Sequence, residues 1–169
     1  MTRAGRGETT PLPAFDKLAD DRRPQADWPH FTGRPSAILL EGWCLGVLPQ
    51  REAVLAEPIN DLERTRDRDG IWRRRVNAFV AGPYADLFDR FDALIFLAAP
   101  SFDIVLDWRA EQEAGLRGQP LDELTPADHA RLADFVAHYE RLTRHMLAGH
   151  LCPATRIKLD RNRRRVEWS

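Results

Sequence analysis

Apolar positions along the chain fall into two contrasting patterns. "AILL" (37–40) and "ALIFLAAP" (93–100) are apolar runs without alternation, the signature of strands buried on both faces. They predict one strand at Ile38–Leu40 and a second within 93–100. "ATRIKLD" (154–160) reads as a third strand and "RRRVEWS" (163–169) as a short fourth.

Between the runs the spacing turns helical. Residues 50–68 predict helical turns interrupted at Pro58, and Trp72–Val80 and Tyr84–Phe91 predict helical pieces separated by Gly82 and Pro83. Ser101 is placed to cap a helix running through Arg117. The strongest helix signals lie at 125–149: Thr125 as cap, Pro126 at the first helical position, Gly149 past the end. Leu132, Phe135, Val136, Tyr139, Leu142 and Met146 share one stripe there, a core-facing pattern. Residues 1–35 are rich in Pro, Asp and Arg and predict irregular chain.

Buried strands alternating with helices indicate an α/β layer with a mostly parallel sheet. Ligands of such sheets gather at the carboxyl ends of the strands, where this sequence puts Glu41 and Ser101. An acid there is suited to a Mg²⁺–phosphate site. It is equally suited to capping a turn or meeting an arginine, and spacing leaves both readings open.

Composition narrows the field. The 169 residues predict one domain, 12–169, after a polar irregular start at 1–11. A formal net charge of -1 gives no global pull towards nucleic acid or an anionic membrane. The arginines at 161 and 163–165 read as a solvated turn. Cys44 and Cys152 form neither a disulfide framework nor a metal-ligand spacing, and the five histidines show no metal spacing either. No apolar run nears the roughly 20 residues of a membrane helix, and the first ten residues carry no secretory apolar core, so the expectation is a cytoplasmic protein.

Six segments in order, "LPAFDKLADDRRP", "ILLEGWCLG", "EPINDLE", "DGIWRRRVN", "YADLFDRFDALIFLAAPSFDIVLDWRAEQE" and "HYERLTRHML", carry a resemblance. Together they resemble the D-glycerate 3-kinase family of P-loop small-molecule kinases, relatives of uridine kinase and phosphoribulokinase. The resemblance implies a P-loop NTPase-like parallel sheet flanked by helices, and ATP- and Mg²⁺-dependent phosphorylation of glycerate or a similar hydroxy acid. It also exposes a departure. The family's first strand and its phosphate loop G-x-x-x-x-G-K-[ST] have no counterpart among these residues, and "GRGETT" (5–10) is too short and lacks the lysine. The chain resembles the family from about midway through its pattern. In the family's sheet the first strand lies between those represented by Ile38–Leu40 and Leu94–Leu97, so exposed sheet edges and association with a second copy or a complementing chain are expected.

The resemblance assigns Glu41 to the Walker B position, as a ligand of Mg²⁺ or of its water network. Asp16, Lys17 and Arg22 fall in the acceptor-side segment, where Arg22 can grip a carboxylate bidentately and Lys17 acts as a point charge. The alternative for these three is a salt-bridged surface loop with Asp20 and Asp21. Arg109 and Gln112 fall on the helix that carries a phosphate-facing lid, Arg109 to stabilise phosphoryl charge. An i,i+4 pair between Arg109 and Glu113 is the competing role. Arg141 and Arg144 either border the nucleotide or form a solvated face.

Two functions follow. One is a small-molecule kinase of this type, needing a phosphate cradle that these residues do not carry. The other is a non-catalytic, kinase-like binding protein that depends on a partner. Nucleic-acid binding through the arginine-rich tail fits poorly with the charge balance.

Overall fold

A computed structural model of the chain describes residues 8–16, 19 and 21–168, the last by its backbone alone. The chain divides into two compact units, Met1–Glu41 and Gly42–Ser169. In the first, strand β1 (Thr10–Pro11) pairs antiparallel with β4 (His30–Phe31), and β2 (Phe15–Asp16) with β3 (Asp21–Arg22). Trp28 donates its indole N–H to the carbonyl of Arg23 at 2.8 Å, closing the turn of 3₁₀ helix at Gln25–Asp27.

The strand expected at Ile38–Leu40 does not form. These residues belong to no strand, and Leu39 is 93% exposed. Sequence pattern supplies the apolar faces of a buried strand but not the neighbours that must accept its backbone hydrogen bonds, and no described segment pairs with this one. Glu41 is therefore not at the end of a parallel strand; it stands exposed at the end of the first unit.

In the second unit, Gly46 adopts φ +80°, and a Cβ there would collide with the side chain of Leu94. That close approach lets Cys152 donate its N–H to the Gly46 carbonyl at 2.7 Å and Val47 bridge to Leu151. Residues 50–68 form two short helices, α1 (Glu52–Leu55) and α2 (Asp61–Arg66), split around Pro58 as expected. Asn60 caps α2, its side-chain oxygen accepting the Glu63 N–H at 2.9 Å. Helix α3 (Ile71–Phe79) does not stop at Gly82 and Pro83. It runs through a π turn, Val80–Tyr84, into α4 (Ala85–Phe88). Pro83 lacks an N–H and would crowd the carbonyl four residues back, and the wider turn absorbs it without ending the helix.

Strand β5 (Ile95–Ala98) pairs parallel with β6 (Thr155–Leu159), which pairs antiparallel with β7 (Arg165–Trp168). One face of this sheet is covered: Phe96 packs against a core of Val47, Val80, Phe88 and Met146. Expected burial on both faces fails, since Ile95 and Leu97 are 62% and 60% exposed on the other side. Helix α5 (Ile104–Arg117) starts at Asp103 rather than on Ser101, because a turn from Phe102 to Val105 moves the first helical residue onward. The cap of helix α6 (Pro126–Ala137) is as predicted, with Thr125 and Asp128 forming a reciprocal capping box. The helix breaks at residues 138–139 before α7 (Glu140–Leu147), and Ala110 and Ala114 of α5 pack with Leu124 and Leu132. Among the described residues no helix is long and apolar enough to cross a membrane.

Candidate functional site

Helix α5 presents Val105, Trp108, Arg109 and Gln112 at spacings of three and four, one face of the helix. That face borders an open cleft of about 640 Å³, completed by Trp43, Glu111 and Arg163. Each large wall is fixed from behind. Trp43 stacks on Tyr139 with centroids 4.4 Å apart and planes 3° from parallel, and its indole N–H donates to Thr143 Oγ1 at 3.1 Å. Trp108 donates its indole N–H to the Arg161 carbonyl at 2.9 Å. Arg163 lies 5.1 Å over the Trp108 ring and pairs with Glu111 at 2.7 Å. Its left-handed backbone, φ 60°, belongs to the turn between β6 and β7, where Asp160 accepts the N–H groups of Asn162 and Arg164 at 2.8 Å.

Arg109 is the charged centre of this face. Its guanidinium pairs with Glu113 at 3.0 Å and lies 5.4 Å from the Phe135 centroid. Glu113 is shared. Arg117 reaches it at 2.9 Å and Arg131 at 2.7 Å, while Asp128 takes a second contact from Arg117 at 2.8 Å. The hydrogen bond from Arg131 leads, with help from Arg117 and the charge of Arg109, and outweighs burial to hold the Glu113 carboxyl below its usual range. Asp128 is held lower still by Thr125 and Arg117. Arg109, Arg117 and Arg131 thus share two carboxylates, which leaves one positive charge uncompensated in the group. Arg109 Nη1 is buried with no hydrogen-bond partner among the described residues.

The other expected site residues are placed elsewhere. Arg141 is buried and wholly engaged inside the fold: Nε and Nη2 donate to the two oxygens of Glu63 at 2.7 and 2.6 Å, and further donations reach the carbonyls of Val54 and Glu57. That geometry corrects its assignment to a nucleotide, because its donors are used. Arg144 is exposed, paired with Glu140 at 2.8 Å and lying 5.0 Å from the Phe102 centroid, and does not line the cleft. Asp16 and Arg22 sit on the β2–β3 hairpin, where Asp16 Oδ1 accepts the Ala19 N–H at 3.2 Å and Arg22 is exposed; Lys17 lies outside the described residues. Arg109 and Gln112 do share the cleft, and Arg109 makes the expected pair with Glu113 as well.

Sequence reasoning names Arg109 and Gln112 and misses Trp43, Val105, Trp108, Glu111 and Arg163 as cleft residues. Trp108 was one helical turn before Gln112 and readable from that spacing. Trp43 lies far from α5 along the chain, and no local spacing joins it to that helix. Arg163 sits in a basic run that reads as a solvated turn, and nothing in that run points to its place over the Trp108 ring.

A Mg²⁺–ATP site takes one or two carboxylates together with a phosphate cradle, and these residues supply at most the first. No group of three metal-binding side chains occurs among the described residues, Glu41 supplies one carboxylate at most, and the sequence carries no phosphate-loop lysine.

No protein-family model matches the chain. Over 142 residues it is 25% identical to "Uncharacterized kinase mug58" of Schizosaccharomyces pombe (strain 972 / ATCC 24843), covering 80% of this chain and 48% of the relative. The chain thus spans about half the length of the curated relative that it matches. A solved structure titled "Structure of YGR205w protein" matches with a TM-score of 0.62 at 22% identity, over 96% of this chain and 58% of that one. In sequence the chain is similar to a kinase, and its mixed α/β fold is that of the matched part of the YGR205w structure.

Proposed function

We propose that the chain serves an ATP-dependent small-molecule kinase of the D-glycerate 3-kinase type, transferring a phosphoryl group to a hydroxy acid. The observation that carries this reading is the similarity to a kinase along 80% of the chain. In this reading Arg109 and Gln112 hold anionic and polar groups of a bound substrate, Arg22 with Asp16 and Lys17 serves the acceptor, and Glu41 offers one oxygen to the metal. Arg144 is left at the periphery.

Phosphoryl transfer is mostly positioning and charge neutralisation, and a backbone nest with its lysine is the largest part of that. These 169 residues contain no G-x-x-x-x-G-K-[ST] segment, so the activity belongs to a protein or complex that supplies one. The test is a phosphotransfer assay with Mg²⁺–ATP and a panel of hydroxy acids including D-glycerate. It compares the 169 residues alone with the same chain joined or mixed with a segment carrying such a loop. Turnover only in the second sample supports the reading. Ligand binding without turnover in both would make this a kinase-like binding protein instead.

A further inference from the structure

We infer that the α5 cleft binds a small anion with a flat, π-bonded body, and that a three-carbon hydroxy acid is not its ligand. The inference rests on the cleft itself and not on phosphoryl transfer.

Size is the first argument. The cleft is open to solvent and offers about 640 Å³ along the α5 face. A three-carbon acid leaves most of it to water. The walls are the second. Both indole N–H groups are already committed, Trp43 to Thr143 and Trp108 to the Arg161 carbonyl, so the cleft is offered ring surface and not indole donors. Ring surface rewards a flat apolar body by stacking and gives a polyhydroxylated acid no partner for its hydroxyls.

Charge is the third. Arg109 belongs to the three-arginine, two-carboxylate group, and its Nη1 is a buried donor left without an acceptor. A buried donor without an acceptor is unfavourable, and an anionic oxygen entering the cleft that Arg109 lines can supply the missing acceptor. Arg163, held over the Trp108 ring, is balanced by Glu111 at 2.7 Å, so the charge open to a ligand is that of the Arg109 group. Gln112 is exposed on the same face, with an amide that both donates and accepts at the rim. Flat body, anionic end and one polar edge describe the ligand.

Two sources fit that chemistry, a nucleoside monophosphate and an aromatic carboxylate, and the experiment separates them. The full 169-residue chain, ¹⁵N-labelled, is titrated without Mg²⁺ or ATP against AMP, indole-3-acetate, adenosine, inorganic phosphate and D-glycerate. Indole N–H resonances report which of the five tryptophans respond. At least one flat anion should move the Trp43 and Trp108 signals. Arg109→Met and Trp108→Leu should each weaken its binding about tenfold, the value of one charge-assisted hydrogen bond or one aromatic contact. Tighter AMP identifies a phosphate ligand, and tighter indole-3-acetate a carboxylate. If Trp108→Leu does not fold, Gln112→Ala on the exposed helix surface and Arg163→Gln carry the same comparison. The inference is overturned if neither flat anion binds at millimolar concentration, if D-glycerate binds as tightly as they do, or if the folded variants bind undiminished. Failure here leaves the kinase assay untouched, since that assay reads turnover and this one reads occupancy of a single cleft.

Discussion

Arg141→Met should cost the second unit about 3–5 kcal/mol, the usual penalty for stranding one member of a buried ion pair. Glu63 and Arg141 are both at least nine-tenths buried and meet through two parallel hydrogen bonds of 2.7 and 2.6 Å. Glu63 also accepts the Ile59 N–H at 3.0 Å, and Arg141 donates to the Val54 and Glu57 carbonyls at 3.2 and 2.7 Å. Methionine keeps the volume of the arginine stem but removes the charge and every one of these donors. Burial alone would push the Glu63 carboxyl up; the Arg141 hydrogen bond, the Ile59 N–H and the charges of Arg141 and Arg73 reverse that and hold it below its ordinary value. Lowered in the fold, Glu63 contributes stability above its unfolded value of 4.5 and loses it as the pH falls through its folded value. Thermal unfolding at neutral pH should show a midpoint about 10–20 °C lower for Arg141→Met. The double variant Arg141→Met with Glu63→Leu should recover at least half of the loss, because neither member of that pair is then left buried without its partner. A single variant within about 1 kcal/mol of the parent that had lost ligand affinity would refute the reasoning and return Arg141 to a binding role.

Other outcomes follow from separate observations. Burial raises the Cys44 thiol to about 11 despite its contact with Thr143, so it should react slowly with thiol reagents at neutral pH. Stability should also fall between about pH 9 and 11 as the unfolded thiol ionises first; equal labelling rates in folded and urea-unfolded protein would contradict this. His145 is held below its ordinary 6.5 by burial, by the stacked His150 ring 4.2 Å away and by the charge of Arg141, against a backbone hydrogen bond to Leu48 that raises it. Its share of stability is therefore complete above 6.5 and is lost as the pH drops below, and His145→Gln should flatten that part of a urea-midpoint profile between pH 7.5 and 5. Gly46→Ala should destabilise by about 1–3 kcal/mol in denaturant melts, from left-handed backbone strain plus the clash with Leu94. Leu97→Lys, on the open face of β5, should change stability by less than about 1 kcal/mol and reduce self-association in sedimentation; unfolding would mean that the face is covered.

Local rules were legible wherever neighbours in sequence decide the outcome. The Thr125–Pro126 start, the break around Pro58 and the β6–β7 turn among the arginines all depend on contacts a few residues apart. Position 83 shows where local rules fall short: proline forbids one hydrogen bond, but whether the helix ends or widens is settled by what packs on both sides. Val80 and Phe88, flanking the π turn, both sit in the main core, which holds the helix together across the defect. In the site, Arg109 and Gln112 could be paired from helical spacing alone. Trp43 and Arg163 join them from segments far along the chain, brought in by the stack on Tyr139 and by the β6–β7 turn.

By itself the sequence determined an α/β chain, the Thr125–Pro126 helix start, its kinase-like motifs and the helix face that carries Arg109. Those are properties of composition and short spacing, which a linear string records. Tertiary structure decided which charges are spent and which are left over. Arg73 and Arg141 look no different from Arg109 along the chain, yet Arg73 is buried against Asp67 at 3.1 Å and Arg141 against Glu63 at 2.6 Å. Both staple the 50–66 segment through its carbonyls. Arg109 must share Glu113 with Arg117 and Arg131 beside an open cleft. A guanidinium's role is set by the acceptors within about 3 Å of it, and those come from residues far along the chain, 78 positions away in the Arg141–Glu63 pair and 84 for Glu57. The same holds for the apolar run at 37–40, whose pattern predicts a buried strand while only a neighbouring strand can supply its hydrogen bonds.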